Sequence, residues 1–266
     1  MPRHSTSRLP KKQSRLSSTK GLCLGLFIVG TDTGVGKTTV ACAIASQLRQ
    51  QGIKVGVYKP AASGCARVGN QLVSSDAVSL WEAAGSPGSL GKVCPQLFEA
   101  ALAPHLAARE EQRQIDSKLL RSGLDYWRRR SEIVIVEGAG GLMSPLGESE
   151  YVADLAKDIG FPLIVVAPNR IGTINQTLQT LIAAETYGGG LPVAGIILND
   201  VLPLESHDPS IASNRCELEL RCVPPILGQL PYGGAEFDIS INWHEVAQMN
   251  APSKKNHARQ TRSPAR

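Results

Sequence analysis

The stretch "GTDTGVGKTT", residues 30–39, decides the fold. The apolar run "LCLGLFIV" (22–29) leads into it and reads as a buried strand. The stretch "TTVACAIASQLRQQG" (38–52) follows it and reads as a helix, with Val40, Ala41, Ile44, Ala45 and Leu48 apolar and Gly52 as its stop. Strand, glycine-rich turn, Lys37-Thr38 and helix together form the context of a phosphate-binding loop. Successive backbone N–H groups and the helix N-terminus cradle phosphate oxygens, the lysine reaches the β- and γ-phosphates, and the threonine hydroxyl meets Mg²⁺. The spacing is one residue longer than usual, because five residues separate Gly30 from Gly36. A tight strand-to-helix turn would account for Gly34 and Gly36 but not for Lys-Thr at the helix start. The stretch is therefore read as a nucleotide site.

Further strands are expected at "KVGVYKP" (54–60), "EIVIVEGAGG" (132–141), "PLIVVAP" (162–168), "PVAGIILND" (192–200) and "PPILGQLP" (224–231). An amphipathic helix is expected at "TINQTLQTLIAAETYGGG" (173–190), capped by its glycines. Strands alternating with helices imply an α/β fold, a single doubly wound domain with a mainly parallel sheet. Ligands bind such a sheet at the carboxyl ends of its strands. Residues 30–38, 59–63, 137–141, 168–173 and 199–200 all fall there.

The chain has 266 residues and a formal charge of +5, unevenly spread. Residues 1–20 carry six cations and 252–266 carry five, with no acid in either, so removing those eleven leaves the body at −6. Both basic tails are expected to be disordered, which places the domain at residues 21–251. A basic tail can bind nucleic acid or a membrane surface or serve as a solubilising end; the last is the reading taken, with no nucleic-acid partner expected. No run of about 18 apolar residues suggests a membrane span. The six cysteines form no C-x-x-C pair, so zinc and disulfide readings have little support and a cytoplasmic setting is the default.

Several polar residues end strands or open helices. Glu137 lies before glycines, where a carboxylate suits a second Mg²⁺ contact or caps a loop. Asp76 starts a helix, as a metal contact or as a complement to the helix dipole. Lys59 and Ser63, in "YKPAASG", lie at a strand tip beside the phosphate loop, where the lysine is a solvated charge or a working one. Asn199 ends a strand and could read an adenine edge or tie a turn. "IGTIN" (171–175) offers free N–H groups to an anion such as a carboxylate.

The segments "VGTDTGVGKT", "GVYKPAASG", "SDA", "VEGAGGLMSPL", "RIGTIN" and "ILND", in this order, resemble the dethiobiotin synthetase family from about Cys23 to Trp243. The longer phosphate loop is a feature of that family. The resemblance implies an ATP-dependent cyclo-ligase of biotin synthesis. It would carboxylate 7,8-diaminopelargonate with CO₂ and close the ureido ring of dethiobiotin. It implies ATP contacts at Gly34, Val35, Gly36, Lys37, Thr38, Thr39, Asp76, Glu137, Gly138, Ala139, Gly140, Asn199, Asp200 and Pro231. Mg²⁺ would be held by Thr38, Asp76 and Glu137. Lys59 and Lys37 would be catalytic, with Thr33, Ser63, Gly172, Thr173 and Asn175 on the substrate. The last three would be presented by the second subunit of a homodimer.

Two features depart from the family: Arg170 stands where many members have lysine, and residues 203–223 align poorly. A partitioning-type nucleotide-switch ATPase of the same fold is the alternative. That class typically has a lysine early in the loop, where this chain has Thr31-Asp32-Thr33. A corrin-precursor amidase would need a glutaminase domain, for which the chain is too short.

Overall fold

The computed structural model describes residues 23–203 and 208–249; the two basic ends and the domain limits at 21 and 251 lie outside the described residues. Its centre is strand β1 (Leu24–Gly30), whose last six residues are all buried. Successive strand side chains point to opposite faces, so unbroken burial means that both faces are covered. Five more strands lie parallel in the same sheet: β2 (Val55–Tyr58), β3 (Ile133–Gly141), β4 (Leu163–Pro168), β5 (Val193–Asn199) and β6 (Ile226–Leu230). Their order across the sheet is β6-β5-β4-β1-β3-β2. The chain leaves β1 toward β3 and β2 on one side, then crosses back to β4, β5 and β6 on the other. The β1–β3 crevice is therefore the switch point of the sheet, where doubly wound folds bind ligands.

The anticipated helix after the phosphate loop is α1 (Lys37–Gln50). Val40, Ala41, Ile44, Ala45 and Leu48 are all fully buried along it. Helix α2 (Ser75–Ala83) begins where Ser74 accepts a hydrogen bond from the Ala77 N–H, at 3.3 Å, satisfying one of the donors a helix start leaves open. Helix α3 (Val152–Ile159) follows β3. Helix α4 (Thr173–Thr186) is shorter than the expected 173–190. Gly188, Gly189 and Gly190 hold φ of 57°, 95° and 96°, a left-handed run that α-helix cannot accommodate. Helices α5 (Ile211–Arg221) and α6 (Trp243–Gln248) complete the described end of the chain. Trp243 is fully buried and donates its indole N–H to Gln47 Oε1 at 2.6 Å, which docks α6 on α1.

Between β2 and β3 the chain adds the two-residue strands Ala61–Ala62 and Gln96–Leu97, paired with each other, a small hairpin (66–73) and several short helices. The pairing, with the Lys59 N–H bonded to Val93 O at 2.8 Å, fixes the segment that follows β2.

Candidate active site

The phosphate loop closes on two left-handed glycines, Gly34 (φ 74°) and Gly36 (φ 88°). Gly36 is also required by crowding, because a Cβ there would run into Asn199 Nδ2. That amide lies at the end of β5, is 4 % exposed, and donates to Val35 O at 3.0 Å. Asn199 thus ties the middle of the loop to the far half of the sheet. Lys37 Nζ bonds back to Asp32 O at 3.2 Å, inside the loop it serves. Burial lowers the Lys37 pKa, and nearby Glu137 only partly offsets this.

The centre of the site follows from strand register. Tyr58 of β2 lies opposite Val136 of β3, so the next residues, Lys59 and Glu137, emerge side by side. Lys59 Nζ bonds Glu137 Oε1 at 2.6 Å and pairs with Asp76 Oδ2 at 2.9 Å. Thr38 Oγ1 donates to the same Glu137 Oε1 at 2.7 Å. Both Lys59 and Glu137 are almost wholly buried, whereas the Asp76 side chain is half exposed. Burial pulls the Lys59 pKa down, but the Glu137 and Asp76 carboxylates outweigh it and hold the ammonium above the ordinary lysine range. Lys59 is therefore a fixed cation.

Glu137 Oε2 is buried and has no hydrogen-bond partner. An unpartnered buried carboxylate oxygen is costly unless a ligand takes it up. Beside it stand the Thr38 hydroxyl and the Asp76 carboxylate, all hard oxygen donors of the kind Mg²⁺ selects, with room for phosphate oxygens and water in the other positions. The residues present fit that ion.

A cleft of about 370 Å³ opens over this cluster, in the β1–β3 crevice. It brings together Thr33, Gly34, Gly36, Lys37, Thr38, Thr39, Lys59, Ser63, Asp76, Glu137, Gly138, Ala139 and Gly140. Val35 is buried beneath the loop and contributes its carbonyl to Asn199. A larger cavity, about 520 Å³, lies between His105 and Glu150 and holds none of the anticipated residues. The smaller cleft is the candidate site, because the phosphate loop, Lys59 and Glu137 all line it.

The remaining anticipated residues lie outside the cleft. Asp200 and Pro231 stand beyond Asn199 at the ends of β5 and β6, where Asp200 N–H bonds Leu230 O at 2.9 Å. Asp200 is held by Asn169 Nδ2 at 2.7 Å and by Gln229 Nε2, 2.9 Å from each carboxylate oxygen. Gly172 (φ 92°), Thr173 and Asn175 form the start of α4. Thr173 is fully buried with an unpartnered hydroxyl, and Asn175 is exposed. Sequence reasoning missed Asn169, Gln229 and Asn214 of α5, which bonds Asn169. Their partners are remote in sequence, and no local pattern marks them.

A family model described as an AAA domain matches residues 24–235. The "ATP-dependent dethiobiotin synthetase BioD" of Rhodopirellula baltica is 40 % identical over 216 residues, covering 77 % of this chain and 82 % of that protein. The protein of the same name from Anaeromyxobacter dehalogenans (strain 2CP-C) is 44 % identical over 194 residues, covering 73 % and 83 %. Among solved structures, a ParA family ATPase from Chlorobium tepidum TLS is 16 % identical, with a TM-score of 0.48 over 79 % of this chain and 84 % of that one.

Proposed function

The chain belongs to the ATP-dependent dethiobiotin synthetase family, and we propose that it carboxylates 7,8-diaminopelargonate with CO₂ and closes the ureido ring with ATP, releasing ADP and phosphate. The observation that carries this reading is one cleft that holds a phosphate loop, two buried lysines and an unsatisfied carboxylate oxygen.

One amine of the substrate attacks CO₂ and sheds a proton, giving a carbamate. A carbamate oxygen then displaces ADP from the γ-phosphorus. The second amine attacks the resulting mixed anhydride at carbon and sheds a proton, and phosphate leaves as the ring closes. Negative charge gathers on carbamate and phosphate oxygens throughout, so the site needs a fixed positive field rather than a nucleophile. Lys59 supplies it as a permanently charged ammonium whose position is set by Glu137 and Asp76. Lys37 and the loop N–H groups face the phosphates, and Ser63 and Thr33 line the substrate end of the cleft. Thr38, Asp76 and Glu137 would hold Mg²⁺, which when bound neutralises phosphate charge as a Lewis acid. Asn199, Asp200 and Pro231 bound the place for the adenine.

The start of α4 is read as the receptor for the substrate carboxylate. Its Ile174 and Asn175 N–H groups have no backbone acceptor among the described residues. In a homodimer this turn serves the partner's site. Ile171, Ile182 and Met143, 78 %, 63 % and 41 % exposed, are apolar side chains that a second copy would cover. Among the described residues no helix is long and apolar enough to cross a membrane. A cytoplasmic enzyme is the reading adopted. The nucleotide-switch alternative is not favoured, because relatives matching most of the chain carry the synthetase name. Incubation with ATP, Mg²⁺, bicarbonate and the diamine tests the proposal. Dethiobiotin detected by mass is the expected result, and ATP hydrolysis without that product would overturn it.

A further inference from the structure

The turn that leads into α4 does not hold itself. Between the end of β4 and Thr173 it makes two local bonds, Arg170 N–H to Pro168 O at 3.0 Å and Thr173 N–H to Arg170 O at 3.2 Å. Apart from Asn169, which bonds to Asn199 and Asp200 at the end of β5, its other ties go to Asp208 and to α5, within residues 203–223. Asp208 Oδ2 accepts the Ile171 N–H at 2.7 Å. Asp208 Oδ1 is itself fixed by Ser210, which donates its N–H at 2.9 Å and its hydroxyl at 2.6 Å. Asn214, 2 % exposed on α5, donates its amide to Arg170 O at 3.2 Å and to Asn169 Oδ1 at 3.0 Å. Asn169, 1 % exposed, passes the sequence on through Nδ2 to Asp200, and its backbone N–H bonds Asn199 O at 2.7 Å.

Asn214 also donates to Ser210 Oγ at 3.2 Å, so donors run outward from it, through Asn169 to Asp200 and through Ser210 to Asp208. Asp200 and Asp208 are acceptor-only, so the orientation of each amide between them is determined. The Ser210 hydroxyl and the Ile171 N–H also keep the Asp208 carboxyl below its ordinary range.

We infer that Asp208 and Asn214 are the positioning residues of the turn that receives the substrate carboxylate. Asp208 aims the backbone from Ile171 onward, and Asn214 holds the carbonyl of Arg170. Neither touches substrate. This inference rests on the reading of 172–175 as the carboxylate receptor. It explains how a turn beginning with an exposed isoleucine and a left-handed glycine keeps one geometry.

The test compares 7,8-diaminopelargonate with the same vicinal diamine lacking its carboxylate, in steady-state turnover with saturating ATP. In the unaltered enzyme the acid has the lower KM. Asp208→Ala and Asn214→Ala should each raise KM for the acid about tenfold, as for one lost hydrogen bond to a charged group, and leave KM for the decarboxylated diamine where it was. Asp208→Asn keeps an acceptor for Ile171 and should recover most of the loss. Asp208 is only half-buried at the edge of the fold, so its alanine variant carries the test even if Asn214→Ala unfolds. The inference is overturned if the variants still discriminate between the two diamines as the unaltered enzyme does, or if both KM values and the turnover number worsen together. An unaltered enzyme indifferent to the carboxylate would overturn the receptor reading of 172–175, and this inference with it.

Discussion

Replacing Glu137 by glutamine probes the charge of the site with little change in its shape. Oε1 of Glu137 accepts both the Thr38 hydroxyl and the Lys59 ammonium, while Oε2 has no partner. A glutamine can keep its Oε1 in both bonds and place its NH₂ where Oε2 stood. Both neighbours remain satisfied, and Lys59 retains Asp76 at 2.9 Å. What changes is that a donor now faces the position assigned to Mg²⁺, and one negative charge is gone. The loss should therefore fall on turnover, at about 10²–10³-fold, the size seen when one electrostatic transition-state contact is removed. Glu137→Ala is the contrasting case. It strips a buried ammonium of its closer partner, and breaking a buried pair costs roughly 3–5 kcal/mol. The lower end applies because Asp76 remains. At roughly 2–4 °C per kcal/mol for a domain of this size, melting should fall by about 6–12 °C. Turnover at saturating Mg²⁺ and thermal unfolding without ligands, measured on both variants, separate the two effects. A glutamine variant within a few-fold of full turnover would refute the metal and charge reading. One that melts as early as the alanine variant would refute the geometric argument.

Asn199→Asp should weaken inhibition by inorganic tripolyphosphate as well as binding of ATP, because a carboxylate would face Val35 O where an amide now donates at 3.0 Å; unchanged tripolyphosphate inhibition would show that Asn199 acts on the base alone. Lys59→Ala and Asn175→Ala chains should each form poorly active homodimers, and an equal mixture after exchange should recover about a quarter of full activity, since half the dimers then have one intact site. No recovery would place Asn175 in the site of its own subunit. A chain limited to residues 21–251 should keep full turnover, and a tenfold loss would show that a basic end contributes to the site.

The six main strands, the strand–loop–helix turn at 30–38 and α1 were legible in the sequence. Each depends on a local signal: unbroken apolar runs, the 3.6-residue period, or glycines where φ must be positive. Lys37 and Thr38 were marked for the same reason, by their place at a strand–helix turn. The sequence also marked Lys59, Asp76, Glu137 and Asn199 as polar residues at strand ends or helix starts, each with a bland reading beside the functional one. Only the tertiary structure could weigh those readings. Strand order places β3 between β1 and β2, and register then sets Lys59 beside Glu137 across 78 residues of chain. The same packing brings Thr38 to Glu137 across 99 residues and Asn199 to Val35 across 164. It also revealed Asp208, Asn214 and Asn169, whose bonds cross from α5 to the α4 turn and carry no periodic signature. Periodicity and turn chemistry act over a few residues, whereas these contacts exist only once hydrophobic burial has chosen which strands are neighbours.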